Sequence, residues 1–298
     1  MFQYHGFGLD ILSEIEFPEL QPAAFINPDV TITIGKVPEQ LQGETYKRAF
    51  SIIGDDEYIL TIKNISRYYT AHGNAIIVEP VEGIDLHSVR LFLLGTVMAM
   101  ITYQRGRIPL HASGIIKNDN LILFTGNSGA GKSTTLAAFE QKGYEIFTDD
   151  VCVLDADENV ITGTSSYPMM KLWEDSIKKL GEENYARDFT IRPQLPKYGQ
   201  FFHDVFTIDA VPVSKIFILC TDNSIAELSV KKLNNIDAFQ KLEAHAYRKN
   251  LITGNKLRLT YFKLLNKIAK EVEVYEVHRP LGKGNTIKEL TETIEKLF

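Results

Sequence analysis

Leu121-Ile122-Leu123-Phe124-Thr125-Gly126-Asn127-Ser128-Gly129-Ala130-Gly131-Lys132-Ser133-Thr134 is an apolar run that passes directly into a glycine-rich loop of the form Gly-x-x-x-x-Gly-Lys-Ser/Thr. The pattern is that of a phosphate-binding loop. Gly126, Gly129 and Gly131 let the backbone turn its N–H groups around phosphate oxygens, and Asn127, Ser128, Ala130 and Thr134 complete the cradle. Lys132 reaches the terminal phosphates, and the Ser133 hydroxyl can hold a magnesium ion. Such a string arises by chance in about one chain of this length in a hundred. The context agrees with it. A short buried-strand pattern precedes the loop, and Thr134-Thr135-Leu136-Ala137-Ala138-Phe139-Glu140 carries apolar residues at helical spacing, so a helix N-terminus and its dipole face the anion.

The surrounding chain is ordinary for a globular protein. Its 298 residues, 44% hydrophobic and 23% charged, suffice for one large domain or two medium ones. A net charge of −6 argues against nucleic-acid or anionic-membrane binding by the chain as a whole. Cys152 and Cys220 lie far apart in apolar stretches, which fits buried thiols in a reducing cytosol better than a disulfide framework or a metal site. The N-terminal Met1-Phe2-Gln3-Tyr4-His5-Gly6 lacks the features of a signal peptide. The longest apolar stretch, Leu91 to Ile101, is short of the roughly twenty residues that span a bilayer. A cytoplasmic protein that contacts neither membrane nor nucleic acid is expected.

Residues 1–84 read as a β-rich unit. Val30-Thr31-Ile32-Thr33-Ile34 and Tyr58-Ile59-Leu60-Thr61-Ile62 alternate, and Ala75-Ile76-Ile77-Val78 follows the turn signal His72-Gly73-Asn74. Residues 85–298 form the second unit. A long helix from Asp85 to Ile101 is closed off by Gly106 and Pro109, and strands near 110–117, 121–125, 145–147 and 151–154 then alternate with the helix after the loop. Residues 155–163 read as a polar turn and Met169–Leu180 as a short helix. The stretch from Gly181 to Asp209 lacks periodicity, as a functional lid or binding loop does. A strand at Ile216–Leu219, two helices in 238–268 parted by Gly254-Asn255, a strand at 272–277 and an amphipathic helix at 286–298 complete the α/β pattern, in which a mixed α+β sheet is expected.

Two features bear on what becomes of the phosphate. Thr148-Asp149-Asp150-Val151 puts adjacent carboxylates at a strand end, sixteen and seventeen residues after Ser133. In phosphoryl transfer one carboxylate serves the metal, while an attacking hydroxyl needs an acceptor for its proton. Upstream, Pro109-Leu110-His111-Ala112-Ser113-Gly114 sets a histidine just before the nucleotide strand, where it can orient or polarise such a base.

Taken in order, Leu110-His111-Ala112-Ser113-Gly114, the loop Gly126 to Thr134 and Thr148-Asp149-Asp150 resemble the C-terminal kinase domain of HPr kinase/phosphorylase. The resemblance covers roughly residues 100 to 180. It implies a P-loop fold related to phosphoenolpyruvate carboxykinases, and ATP- and magnesium-dependent phosphorylation of a serine hydroxyl on a peptide or protein. By position, it implies that Lys132 binds phosphate, Ser133 and Asp150 hold the metal, and Asp149, supported by His111, is the base; the order of the two aspartates stays open. The acidic Glu-Ile-Arg-Gly signature of HPr kinases is absent. Tyr167-Pro168-Met169-Met170-Lys171-Leu172-Trp173-Glu174 stands in that region, with Glu174 either a substitute metal ligand or a helix N-terminal acid.

The opening Tyr4-His5-Gly6-Phe7-Gly8-Leu9, the helix ending at Gly106, Lys171-Leu172-Trp173 and Ala246-Tyr247-Arg248 are similar to smaller HPr-kinase-like enzymes of peptide biosynthesis, some of which phosphorylate the C-terminal serine of a lasso-peptide precursor. Lys171, Arg192, Lys197 and Arg248 are candidates for holding nucleotide phosphates or a substrate carboxylate. A homo-oligomer is allowed by the family's assembly and not required. Two other readings fit the same residues: an HPr-kinase-like enzyme acting on another protein or a small-molecule hydroxyl, and an ATP-binding regulatory protein without transfer activity. A guanine-specific switch is disfavoured, since Asn266-Lys267-Ile268-Ala269 lacks the acid of Asn-Lys-x-Asp.

Overall fold

The computed structural model describes the chain except Glu44, 157–159, 182–184, Asp188, 192–194, Asn223 and 281–285. Among the described residues nine strands occupy the first 80 positions: β1 (Phe2–Gly6), β2 (Leu9–Ser13), β3 (Gln21–Pro22), β4 (Val30–Ile34), β5 (Tyr46–Arg48), β6 (Ser51–Ile53), β7 (Glu57–Ile62), β8 (Ser66–Ala71) and β9 (Ala75–Pro80). They form one sheet in the order β3-β1-β2-β4-β9-β8-β7-β6-β5. Strand alternation determines its buried face. Val30 and Ile32 point inward while Thr31 and Thr33 are half-buried, and Leu9 and Ile11 face the same core.

Across that face lies the long helix, made of α1 (Leu86–Phe92), a π-helical segment (Leu93–Val97) and α2 (Met98–Gln104). Asp85 caps its start by accepting from the Ser88 N–H (2.8 Å), and Gly106, at φ +77°, follows its end. This run of 19 residues is long and apolar enough to cross a membrane by length and composition. Here Val89, Leu93, Val97 and Ile101 pack into one cluster with Tyr58, Tyr68, Ile76 and Val78 of the sheet. The Tyr68 hydroxyl donates to the Val89 carbonyl (3.1 Å), so a buried phenol is satisfied on the helix backbone.

The rest of the chain builds a second, mixed sheet. Its elements are β10 (Ile108–Leu110), β11 (Ala112–Lys117), β12 (Asn120–Gly126), α3 (Lys132–Gln141), β13 (Glu145–Thr148), β14 (Cys152–Ala156), β15 (Ile161–Ser165), β16 (Met169–Trp173), α4 (Glu174–Leu180), β17 (Lys197–Phe201), β18 (Val211–Asp222), β19 (Ser229–Lys232), α5 (Asn235–His245), α6 (Asn255–Glu271), β20 (Glu273–Pro280) and α7 (Thr286–Glu295). The strand order is β10-β14-β15-β18-β12-β11-β13, with β20 also pairing β18 and β19. Within it β12, β18 and β20 run parallel. These strands are apolar on both faces because both are covered. Phe124 and Phe217 pack with Leu136, Phe139, Leu290 and Ile294 of α3 and α7, while Leu123, Ile216 and Ile218 pack with Leu242, Leu265 and Ile268 of α5 and α6.

One expected helix is corrected. Met169–Leu180 divides: Met169–Trp173 is a strand, and only Glu174–Leu180 is helical. Met, Lys and Leu favour helices, but pairing of β16 with β17 and burial of Met169 to Leu172 override that preference. The partner β17 gives order to part of the stretch from Gly181 to Asp209. Residues on both sides of the expected division at 84/85 share one core: Val151, Val153, Tyr167 and Met169 lie in the same cluster as Phe7 and Leu9.

Candidate active site

The loop leaves the end of β12 and enters α3. At Gly126 (φ +149°) a Cβ would sit 2.4 Å from the Leu219 carbonyl oxygen of β18, so only glycine fits where these two backbones meet. Gly131 (φ +96°) caps α3, and a Cβ there would lie 2.5 Å from Arg279 Nη2. That nitrogen donates to the Ala130 carbonyl (2.6 Å), tying β20 to the back of the loop. Lys132 Nζ donates to the Gly126 (2.9 Å) and Asn127 (3.3 Å) carbonyls. Burial lowers its pKa, an effect the charges of Asp149 and Asp150 oppose.

The adjacent acids face different partners. Asp149 is buried; its Oδ1 accepts from Ser133 Oγ (2.9 Å) and Ser113 Oγ (2.6 Å), and its Oδ2 from the Lys171 N–H (2.8 Å). Asp150 has a left-handed backbone (φ +81°), costly for a non-glycine residue, and this turn sends its carboxylate elsewhere. Its Oδ2 accepts from Lys171 Nζ (2.7 Å), and its Oδ1 lies 3.5 Å from His111 Nδ1. The pairings expected from the resemblance are therefore exchanged: Ser133 meets Asp149 rather than Asp150, and His111 meets Asp150 rather than Asp149.

His111 Nδ1 lies 2.7 Å from the Asp150 carbonyl oxygen, which can only accept, so Nδ1 carries the proton and Nε2 is the acceptor. Burial lowers the His111 pKa against the raising effect of Asp150, which keeps the ring neutral at pH 7. Burial pushes the Asp150 carboxyl up, but Lys171, with His111 and Lys197, outweighs it and holds Asp150 well below the usual carboxylate range. Lys171 also donates to the Tyr167 hydroxyl (2.6 Å) and is itself raised: burial disfavours its charge, and Asp150 and Tyr167 more than compensate.

Two cavities meet at Asp150 and Lys171. One, of about 260 Å³, runs along Gly129, Gly131, Lys132 and Thr134 to Trp173 and Asp175. The other, of about 100 Å³, is walled by Leu94, Gly95, Tyr167, Phe189 and Tyr247, with Arg248 among its lining residues. This second chamber lies between the π-helical segment and the site.

No protein-family model and no curated protein matches this chain. Among solved structures, that of the Hpr(Ser) kinase/phosphatase from Coxiella burnetii is similar to it, with 13% identity and a TM-score of 0.32, covering 63% of this chain and 90% of that one.

Three of the remaining basic candidates line the two cavities. Lys197 lines the larger cavity and Arg248 the smaller; Lys171 is spent on Asp150; Arg192 lies outside the described residues. Glu174 is a first-turn helix acid paired with Arg187 (3.1 Å) and Lys178 (3.7 Å), in keeping with its structural reading. Cys152 is buried but Cys220 only half-buried, beside Glu276 and His278, where Lys241 already pairs with Glu276. Sequence reasoning missed Ser113, Tyr167, Tyr247 and Arg279. Ser113 stood within the run Leu110 to Gly114, Tyr167 at the head of the run Tyr167 to Glu174 and Tyr247 within Ala246-Tyr247-Arg248, none of them with a role assigned there; Arg279 carried no local signal.

Proposed function

We propose that this chain is a kinase that transfers the γ-phosphoryl group of ATP, with magnesium, to a serine hydroxyl of a peptide or protein. The observation that carries this reading is the corner at which Ser133 Oγ and Asp149 Oδ1 lie 2.9 Å apart, beside Lys132 and next to the half-buried Asp150. A hard cation needs oxygen ligands, and the Ser133 hydroxyl and Asp149 carboxylate supply them. These two residues would hold magnesium, which when bound neutralises charge on the β- and γ-phosphate oxygens. Lys132 turns from its own loop carbonyls to the phosphates.

In this reading Asp150, not Asp149, faces the acceptor. Its carboxylate accepts the hydroxyl proton as the serine oxygen bonds to the γ-phosphorus, and the bond to the β–γ bridging oxygen breaks to leave ADP. Lys171 makes Asp150 a weak base. A loose phosphoryl-transfer transition state asks mainly for an acceptor that aims the hydroxyl, which a weak base provides. The chamber of about 100 Å³ holds roughly three waters' worth of space, enough for a terminal residue rather than a folded surface. With Arg248 at its edge to meet a carboxylate, it suits a C-terminal serine such as that of a lasso-peptide precursor.

The test is incubation with ATP, magnesium and serine-terminated peptides, read by mass spectrometry. One added phosphate on the serine is expected, reduced when the terminus is amidated. Asp149→Asn should raise the magnesium concentration needed for half-maximal rate at least tenfold, whereas Asp150→Asn should lower kcat by about 10²-fold or more with ATP affinity retained. ATP binding without any phosphorylated product would favour a regulatory ATP-binding protein instead.

A further inference from the structure

We propose that Trp173 is the platform on which the base of the nucleotide stacks; this rests on the kinase reading above. The larger cavity has two chemically different ends. At one stand His111, Asp149 and Asp150, where the terminal phosphate must lie for transfer. The loop's first residues, Asn127 and Ser128, also face an opening lined by His111, Tyr247 and Arg248, and the last two line the acceptor chamber as well. The acceptor thus approaches from that side, and the rest of the nucleotide extends the other way, past Thr134 towards Trp173, Asp175 and Ser176.

Trp173 is 43% exposed at the end of β16, a large apolar ring in a largely polar cavity. Among the described residues no aromatic ring packs on it, while Lys197, its register partner on β17, holds its ammonium 5.8 Å from the ring centroid. The position is fixed relative to the loop. Thr134 Oγ1 and Ser176 Oγ are 3.0 Å apart, joining α3 to the helix that begins immediately after Trp173. An indole so placed offers a face to any base, and Lys197 beside it offers charge to the phosphate nearest the ribose.

Trp173 is the single tryptophan of the chain, so its emission reports on this subsite alone. The full chain is titrated in magnesium with ATP and, separately, with inorganic tripolyphosphate, following binding by calorimetry and by tryptophan fluorescence. ATP should bind and quench the emission; tripolyphosphate should bind at least tenfold more weakly and leave it unchanged. Trp173→Ala should weaken ATP about tenfold or more without altering tripolyphosphate affinity, which also certifies the fold, and Trp173→Phe should stay within about threefold of the parent. ATP binding with unchanged emission, and with undiminished affinity in Trp173→Ala, would overturn the platform while leaving the loop reading intact. Failure of both ligands to bind would remove the kinase reading and the platform with it.

Discussion

At the scale of single residues, Asp149 and Asp150 differ in almost everything except identity. Asp149 directly follows β13 and has both oxygens occupied by donors; Asp150, one residue on, has a positive φ and a buried lysine as partner. The Asp150–Lys171 pair has consequences for stability. Lys171 is buried, so Lys171→Met strands the Asp150 carboxylate and should cost about 3–5 kcal/mol at pH 7. Because the folded-state pKa of Asp150 is depressed, the stability it contributes is complete above the ordinary carboxylate pKa and is lost as pH falls below about 4. Urea unfolding of parent and variant should therefore show the gap between them narrowing from pH 7 to pH 3. A gap independent of pH would mean that the pair is not what Lys171 contributes.

At the scale of elements, the π-helical segment Leu93–Val97 and the hairpin β16–β17 shape the two cavities. Gly95 lines the smaller one, and a Cβ there would lie 3.3 Å from the Tyr247 hydroxyl. Gly95→Leu should fill this cavity, which on the proposed reading takes the acceptor. Leucine is the better helix former, so thermal stability should not fall through propensity, while the KM for the peptide rises about tenfold or more and ATP affinity stays unchanged. Steady-state kinetics in each substrate separates these effects. The helix itself was legible from its apolar run and the Gly106 and Pro109 that close it, but its Asp85 cap and its π segment were not. Nor was β16, because the preference of Met-Met-Lys-Leu for strand depends on a partner more than twenty residues away.

At the scale of the whole molecule, a line of contacts joins the first hairpin to the site. The Phe7 N–H donates to the Ser166 carbonyl (2.8 Å), its ring lies 5.7 Å from that of Tyr167, and Tyr167 accepts from Lys171, which holds Asp150. Phe7 is 2% exposed, and Phe7→Ala should cost about 3–5 kcal/mol of stability. It should also lower kcat while sparing ATP affinity, since the loop and α3 are held by other contacts. Urea unfolding and steady-state kinetics at a temperature where the variant is folded check both expectations. Equal loss of ATP binding would mean that the N-terminal sheet supports the loop as well.

The sequence alone determined the glycine-rich turn from strand to helix, the adjacent acids and the α/β alternation around them. These are encoded within a short stretch, where glycine conformations, strand burial and helix spacing act through near neighbours. Only the tertiary structure decided which acid meets Ser133, that Lys171 is occupied by Asp150, and that Arg279, 149 residues beyond Ala130, backs the loop. Those outcomes turn on one residue's left-handed backbone and on pairings between distant strands, energies that no local pattern of side chains records.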